Sequence, residues 1–427
     1  MVRILPRENE AKLEGRLLEL GSVGLTPSGL WRAPFTPGYE RAVTLVSGWM
    51  RDAGLDVRRD TVGNLIGRAG GREQGPDGGR VVAVGSHLDT VRDAGRYDGA
   101  LGVLGGLLAV SHLVETKGPP ARPIEVIAFT GEESSRFPVS FLGSRWMTGS
   151  IEPGEFAAVD DQGMSLGEAM ADSGFEPPVV DGADGAGGAP RAGTSRGSSD
   201  LDAYLELHIE QGPVLEDSGR SIGVVSSIVG QCEAAVTVRG RAGHAGTVPM
   251  RMRRDALVAA VQLIGAMNRE TARFRDTTVF TVGKLAVRPG SSNVIPGEVS
   301  FTVDLRDPGR DDLVRAYRCL RNMVEATSSA DGIEVAWQDL FWSDPVPCDS
   351  GLAALLARSA RAVGEDPLTL PSGAGHDAQI LAGVTRVGMV FVPSAGGRSH
   401  CPEEYTTSHH CYLGAAVLAE ALRELAY

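Results

Sequence analysis

Residues 81–106, VVAVGSHLDTVRDAGRYDGALGVLGG, constrain this chain more than any other stretch. The run 81–84 is apolar without alternation, which is the pattern of a strand buried on both faces, and Gly85 and Ser86 close it. Such a strand needs helices above and below, so the expected class is α/β with a mostly parallel sheet. The strand end delivers His87 and Asp89, and Asp98 follows on a Gly-rich loop that opens a helix. Sheets of this kind keep their chemistry beyond the strand ends. An imidazole and a carboxylate there are ligand types that zinc accepts. One of each does not make a site, and His87 read alone is a hydrogen-bonded strand-end residue.

The rest of the chain repeats the pattern. Residues 100–117 read as a helix stopped by Gly118 and two prolines, and 124–130 as another buried strand ending in GEESSRF. Strand, helix, strand with short joints is the βαβ unit of a parallel sheet. Leucines 13, 17, 18 and 20, and then Val43, Val46, Trp49 and Met50, recur at helical spacing before the first strands. With 427 residues the chain exceeds a single core, so two domains are expected. After about residue 229 the pattern becomes strand (234–239), helix (253–274), strand (278–287), strand (299–306), helix (311–326), strand (333–339). That order is ferredoxin-like. The expected division is a first domain of 1–228 and 339–427, with 229–338 inserted as a lid or dimerisation domain. Residues 181–200 have almost no apolar bulk and read as a flexible surface loop.

Composition narrows the partners. A formal net charge of -13 argues against nucleic acid, whose phosphates call for clustered Lys and Arg. Five scattered cysteines without CxxC spacing fit neither a disulfide framework nor a zinc knuckle, and point to a reducing cytoplasm. The charged, amphipathic start is no signal peptide, and no segment is expected to approach the roughly 18 apolar residues of a membrane span.

Further candidates lie at other strand ends. Glu132 and Glu133 are adjacent, so on an extended segment they point opposite ways and can divide the roles of general base and metal ligand. His208 closes the strand LELHIEQG, and His400 lies in GGRSHCPEE. His87, Asp98, Glu133, His208 and His400 together offer three imidazoles and two carboxylates, enough for a two-metal site bridged by Asp98.

GSHLDT, the YDG of Asp98, EESSRF, LELHIEQGPVLE, AGHAGTVPM, NVIPGEVSFTVDLRD, SGAGHDAQ and GRSHCPEE, in that order, resemble the successive signatures of the amidase/hydantoinase/carbamoylase family of dinuclear metal hydrolases. That family includes N-carbamoyl-L-amino acid hydrolases, β-ureidopropionases and allantoate amidohydrolases. The resemblance spans nearly the whole chain, and it implies two divalent ions, zinc first and manganese or cobalt as alternatives. His87 and His208 would hold one ion, Glu133 and His400 the other, with Asp98 bridging and Glu132 as catalytic base. His208, where related peptidases use a carboxylate, favours the carbamoylase branch.

The resemblance also places substrate contacts at Gln211, His244, Asn293, Arg306 and Gly375, with His376 beside the last. Read alone, Gln211 and Asn293 are turn or surface amides and Arg306 a strand-end ion pair. Arg306 is the natural clamp for a carboxylate, because a guanidinium binds one bidentately. The expected substrate is therefore a small carboxylate carrying a ureido group. A cytoplasmic homodimer would cleave the carbamoyl C–N bond of N-carbamoyl-L-amino acids. Allantoate is the first alternative; behind it stand peptide or N-acyl hydrolysis and a metal-stabilised binding protein without activity.

Overall fold

All seven residues of the strand Val81–His87 are buried, because parallel strands flank it on both sides. The computed structural model describes residues 5–71, 79–176, 200–328 and 332–427. The 181–200 stretch lies, except for Asp200, outside the described residues. Contacts divide the chain into two compact units, Met1–Ser226 with Cys348–Leu370 and Gly375–Tyr427, and Ser227–Pro347 with Pro371–Ala374. The second unit runs past residue 338 because its last strand, Glu334–Ser343, continues beyond the expected segment.

The sheet of the first unit runs in the order Asp56–Arg59, Leu65–Ala69, Ile124–Phe129, Val81–His87, Leu201–Ile209, Arg386–Val392, Gly223–Ile228. Its middle four strands are parallel. The flanking strands pair antiparallel, so the sheet is mixed, with its parallel part at the centre. The helix Ala100–Lys117 packs on these strands and against the C-terminal helix Ser408–Ala426. It is apolar nearly all round, as a helix covered on most sides must be. By length and hydropathy alone it would qualify to cross a bilayer, which corrects the expectation that no segment comes near that threshold. Its apolarity is used inside the fold, where 67% of the span is buried. A Cβ at Gly102 would come within 2.3 Å of the Leu207 carbonyl oxygen, so glycine lets the helix lie this close to the sheet.

In the second unit the strands run Leu285–Arg288, Glu298–Asp307, Gly230–Arg239, Glu334–Ser343, all antiparallel, with Val279–Thr281 also paired to Glu298–Asp307. The helices Ala256–Thr271 and Arg310–Ser328 pack on this sheet. Along Glu298–Asp307, Val299, Phe301, Val303 and Leu305 enter the core, while Ser300, Thr302, Asp304 and Arg306 take the other face. The strand expected at 278–287 is split in two, because the Thr302 hydroxyl, not a backbone carbonyl, accepts the Lys284 N–H where the pairing changes.

Candidate metal centre

The parallel pairing of Val81–His87 with Leu201–Ile209 brings His87 and His208 to the same end of the central strands, with ring centroids 6.0 Å apart. Asp98 reaches between them from the turn entering Ala100–Lys117. Its Oδ1 lies 3.1 Å from His208 Nε2 and 3.5 Å from His87 Nε2. Its Oδ2 faces the other way, 3.4 Å from His400 Nε2, which is itself 3.4 Å from Glu133 Oε1. One carboxylate thus separates four further donors into two pairs. Within each of the groups His87–Asp98–His208 and Asp98–Glu133–His400 the donor atoms lie within 4.8 Å of one another.

This donor set suits divalent cations. The second nitrogens fit as well: His87 Nδ1 sits 3.0 Å from the Asp89 carbonyl and His208 Nδ1 2.9 Å from the Ile209 carbonyl, which aims each Nε2 at Asp98. Glu132 is buried beside them, its Oε2 3.9 Å from His87 Nε2. Gln211 and His400 both have positive φ, 60° and 56°, as do Phe35, Asp93, Ser134 and Phe141; such strained backbone is enriched at functional sites.

Several supporting residues carry no role in the sequence reading. The Asp89 carboxylate accepts three successive backbone N–H groups, from Gly131 (3.0 Å), Glu132 (3.3 Å) and Glu133 (3.0 Å). Buried Asn64 accepts from the Thr130 N–H and donates to the Gly143 carbonyl, tying down the same turn. Glu404 Oε1 accepts the Tyr97 and Asp98 N–H groups at 2.8 and 3.1 Å, and the Ser399 hydroxyl lies between Glu404 Oε2 and Asp98 Oδ2. The available signals were the two-residue spacing of His87 and Asp89 and the acidic pair that follows His400.

Burial sets the electrostatics. It lifts the Glu132 carboxyl well above its ordinary range, and the neighbouring Glu133, Asp377 and Asp89 add to this. For His87 burial works against the charged form, but Glu132, Asp98 and Asp89 outweigh it and raise the imidazole. Burial would also raise Asp98, yet His208, His400 and His87 hold it well below the usual carboxylate range. Hydrogen bonds to Asp98 and Glu133 push His400 up to about 11.

The expected substrate contacts fall in two groups. In the first unit, Gln211 turns its amide to the cluster, with Nε2 donating to Asp98 Oδ2 at 2.8 Å and its buried oxygen without a hydrogen-bond partner among the described residues. His376 is 2% exposed and packs edge-on against the His208 ring at 4.6 Å, and burial followed by His208 lowers its pKa well below the ordinary value. Gly375 sits where a Cβ would come within 2.9 Å of the Phe141 ring. In the second unit, His244 and Asn293 are brought together. His244 pairs with Val294, and the Ala245 N–H donates to the Asn293 carbonyl at 2.9 Å. The Arg306 guanidinium is engaged by Asp304.

The profile of peptidase family M20/M25/M40 matches residues 83–424. An N-carbamoyl-L-amino acid amidohydrolase of Geobacillus stearothermophilus is 41% identical over 97% of this chain and 98% of its own length. An allantoate amidohydrolase of Bacillus subtilis is 38% identical over 93% of each. Among solved structures, a hydantoinase/carbamoylase family amidase from Burkholderia multivorans superposes with a TM-score of 0.87, at 36% identity over 97% of both chains. The divided donors around Asp98 therefore sit in a member of peptidase family M20/M25/M40, and within it this chain belongs with the hydantoinase/carbamoylase amidases.

Proposed function

We propose that this protein hydrolyses the carbamoyl C–N bond of N-carbamoyl-L-amino acids, giving amino acid, ammonia and carbon dioxide. The observation that carries the reading is the division of donors by Asp98, with buried Glu132 alongside. His87 and His208 would hold one divalent ion and Glu133 and His400 a second, with Asp98 shared; zinc is the first choice, manganese or cobalt the alternatives. Cations held there would supply Lewis acidity toward water and the carbamoyl oxygen.

The chain's own residues do the rest. Glu132 takes a proton from the attacking water as its oxygen bonds to the carbamoyl carbon. His244 donates to the developing oxyanion. When the C–N bond breaks, Glu132 returns the proton to the leaving amino nitrogen, and the carbamate released decomposes to ammonia and carbon dioxide. Arg306 binds the substrate carboxylate, while Gln211, Asn293, Gly375 and His376 complete the contacts. The working form is a homodimer built on the second unit. Five unpaired cysteines support a reducing, cytoplasmic setting.

Allantoate is a second reading, favoured by the 38% identity to the Bacillus subtilis enzyme. The test is to strip the protein of metal, restore zinc, manganese or cobalt, and supply N-carbamoyl-L-amino acids, allantoate and dipeptides in turn. Metal-dependent release of ammonia with the amino acid supports the proposal. Cleavage of dipeptides alone, or full activity without metal, overturns it.

A further inference from the structure

Arg306 does not stand alone on its strand. Its Nε and Nη2 donate to Asp304 Oδ1 and Oδ2 at 2.9 and 2.8 Å, and its Nη1 donates to the Gly373 carbonyl at 2.9 Å. The two-residue spacing on Glu298–Asp307 puts both side chains on the face opposite Val303 and Leu305. Asp304 is braced in turn, because Gln231 Nε2 reaches its Oδ2 at 3.1 Å and also donates to Glu233 at 2.8 Å. Gln231 and Glu233 lie directly across the sheet from Arg306 and Asp304. Arg306 thus supplies a positive charge to a small polar lattice that fixes its orientation.

A guanidinium has five N–H donors, and three of those on Arg306 are taken by these contacts, which leaves one on Nη1 and one on Nη2. A carboxylate arriving at the two terminal nitrogens would meet a fork that is already aligned, so less side-chain freedom is lost on binding. We propose that Asp304 is the positioning residue of the Arg306 clamp: it locks the Nε–Nη2 edge and so presents the remaining donors to the substrate carboxylate. This inference rests on the assignment of Arg306 as that clamp.

The sign of one effect separates positioning from simple neutralisation. If Asp304 only offset the charge of Arg306, Asp304→Asn would free positive charge and lower KM for a carboxylate substrate. If it positions the guanidinium, the same change raises KM. The experiment measures kcat and KM for D304N, D304E, R306A and D304N/R306A, with an N-carbamoyl-L-amino acid and with its α-carboxamide. D304N should lower kcat/KM on the carboxylate by on the order of tenfold, the scale of one aligned hydrogen bond. It should leave the carboxamide within about twofold on the same scale, and add nothing to the loss in R306A. D304E should recover part of the loss, and it carries the same comparison should D304N misfold. A D304N enzyme with unchanged or lower KM, or with equal losses on both substrates, beside a crippled R306A, overturns the inference alone. Full activity of R306A on the carboxylate overturns the clamp and this inference with it.

Discussion

Replacing Asp89 tests how the turn bearing Glu132 and Glu133 is held. Its Oδ1 accepts from Gly131 and Glu132 and its Oδ2 from Glu133, at 3.0, 3.3 and 3.0 Å, and the side chain is fully buried. In Asp89→Asn the amide oxygen can keep the first two bonds, but an NH2 group then faces the Glu133 N–H, donor against donor. One charge-assisted hydrogen bond is lost, about 1.5–3 kcal/mol. Asp89→Ala strands all three backbone donors, at roughly 1–3 kcal/mol each, a ceiling that neighbouring effects will not reach by simple addition. Because Glu132 rides on the same turn, a shift of about 1 Å there should cost on the order of a hundredfold in turnover. Urea unfolding followed by far-UV circular dichroism, with kcat and metal content of the refolded protein, reads both consequences. The expected order is parent, then D89N, then D89A, in stability and in kcat. D89A within about 0.5 kcal/mol of the parent, the range of neutral surface changes, with undiminished kcat, would refute the reasoning.

Gly99 has φ of +64°, and a Cβ there would meet the His87 ring at 2.4–2.6 Å, so Gly99→Ala should displace that ligand and lower metal content measured by elemental analysis; a fully loaded variant contradicts this. Without metal, His400 is raised to about 11 by its bonds to Asp98 and Glu133, and His87 is also raised, once its carboxylate neighbours outweigh burial. The His400 imidazole therefore carries a proton at neutral pH, and a cation must displace it. Metal affinity should climb from about pH 6 to 8 with protons released. Calorimetry in two buffers of different ionisation heat measures that release, and a pH-independent affinity counts against it.

What was legible in the sequence follows from physical range. His87, Asp98, Glu133, His208 and His400, which the structure brings together, stand out at strand ends and Gly-rich loops, but their ligand roles are implied by the run of motifs and not by any one of them; the unbroken apolar run before His87 points to the parallel sheet. The alternation around Phe301, Val303 and Leu305 assigns Arg306 to the polar face, which is where it lies. Asp89 is legible at its strand end but its task is not, and Asn64 and Glu404 are not singled out, because all three act on backbone N–H and carbonyl groups far along the chain. Glu404 reaches Tyr97 across 307 positions. Arg306 read alone is a strand-end ion pair, which it is, but spacing alone does not show that its partner is Asp304, two residues earlier on the same strand. The helix Ala100–Lys117 is legible as the crossover of a βαβ unit, while its length and hydropathy also reach those of a membrane span, because a helix covered on most sides has that composition.

The most direct test of the account is Glu132→Gln, with bound metal and turnover of an N-carbamoyl-L-amino acid measured on the same preparation. Glutamine keeps the size of the side chain and removes its capacity to take and return a proton. If Glu132 is the base while His87, His208, Asp98, Glu133 and His400 hold the cations, the variant keeps its metal and loses on the order of 10²–10⁴ in kcat. A variant that still releases ammonia at the parent rate, or one that has lost its metal, contradicts the assignment.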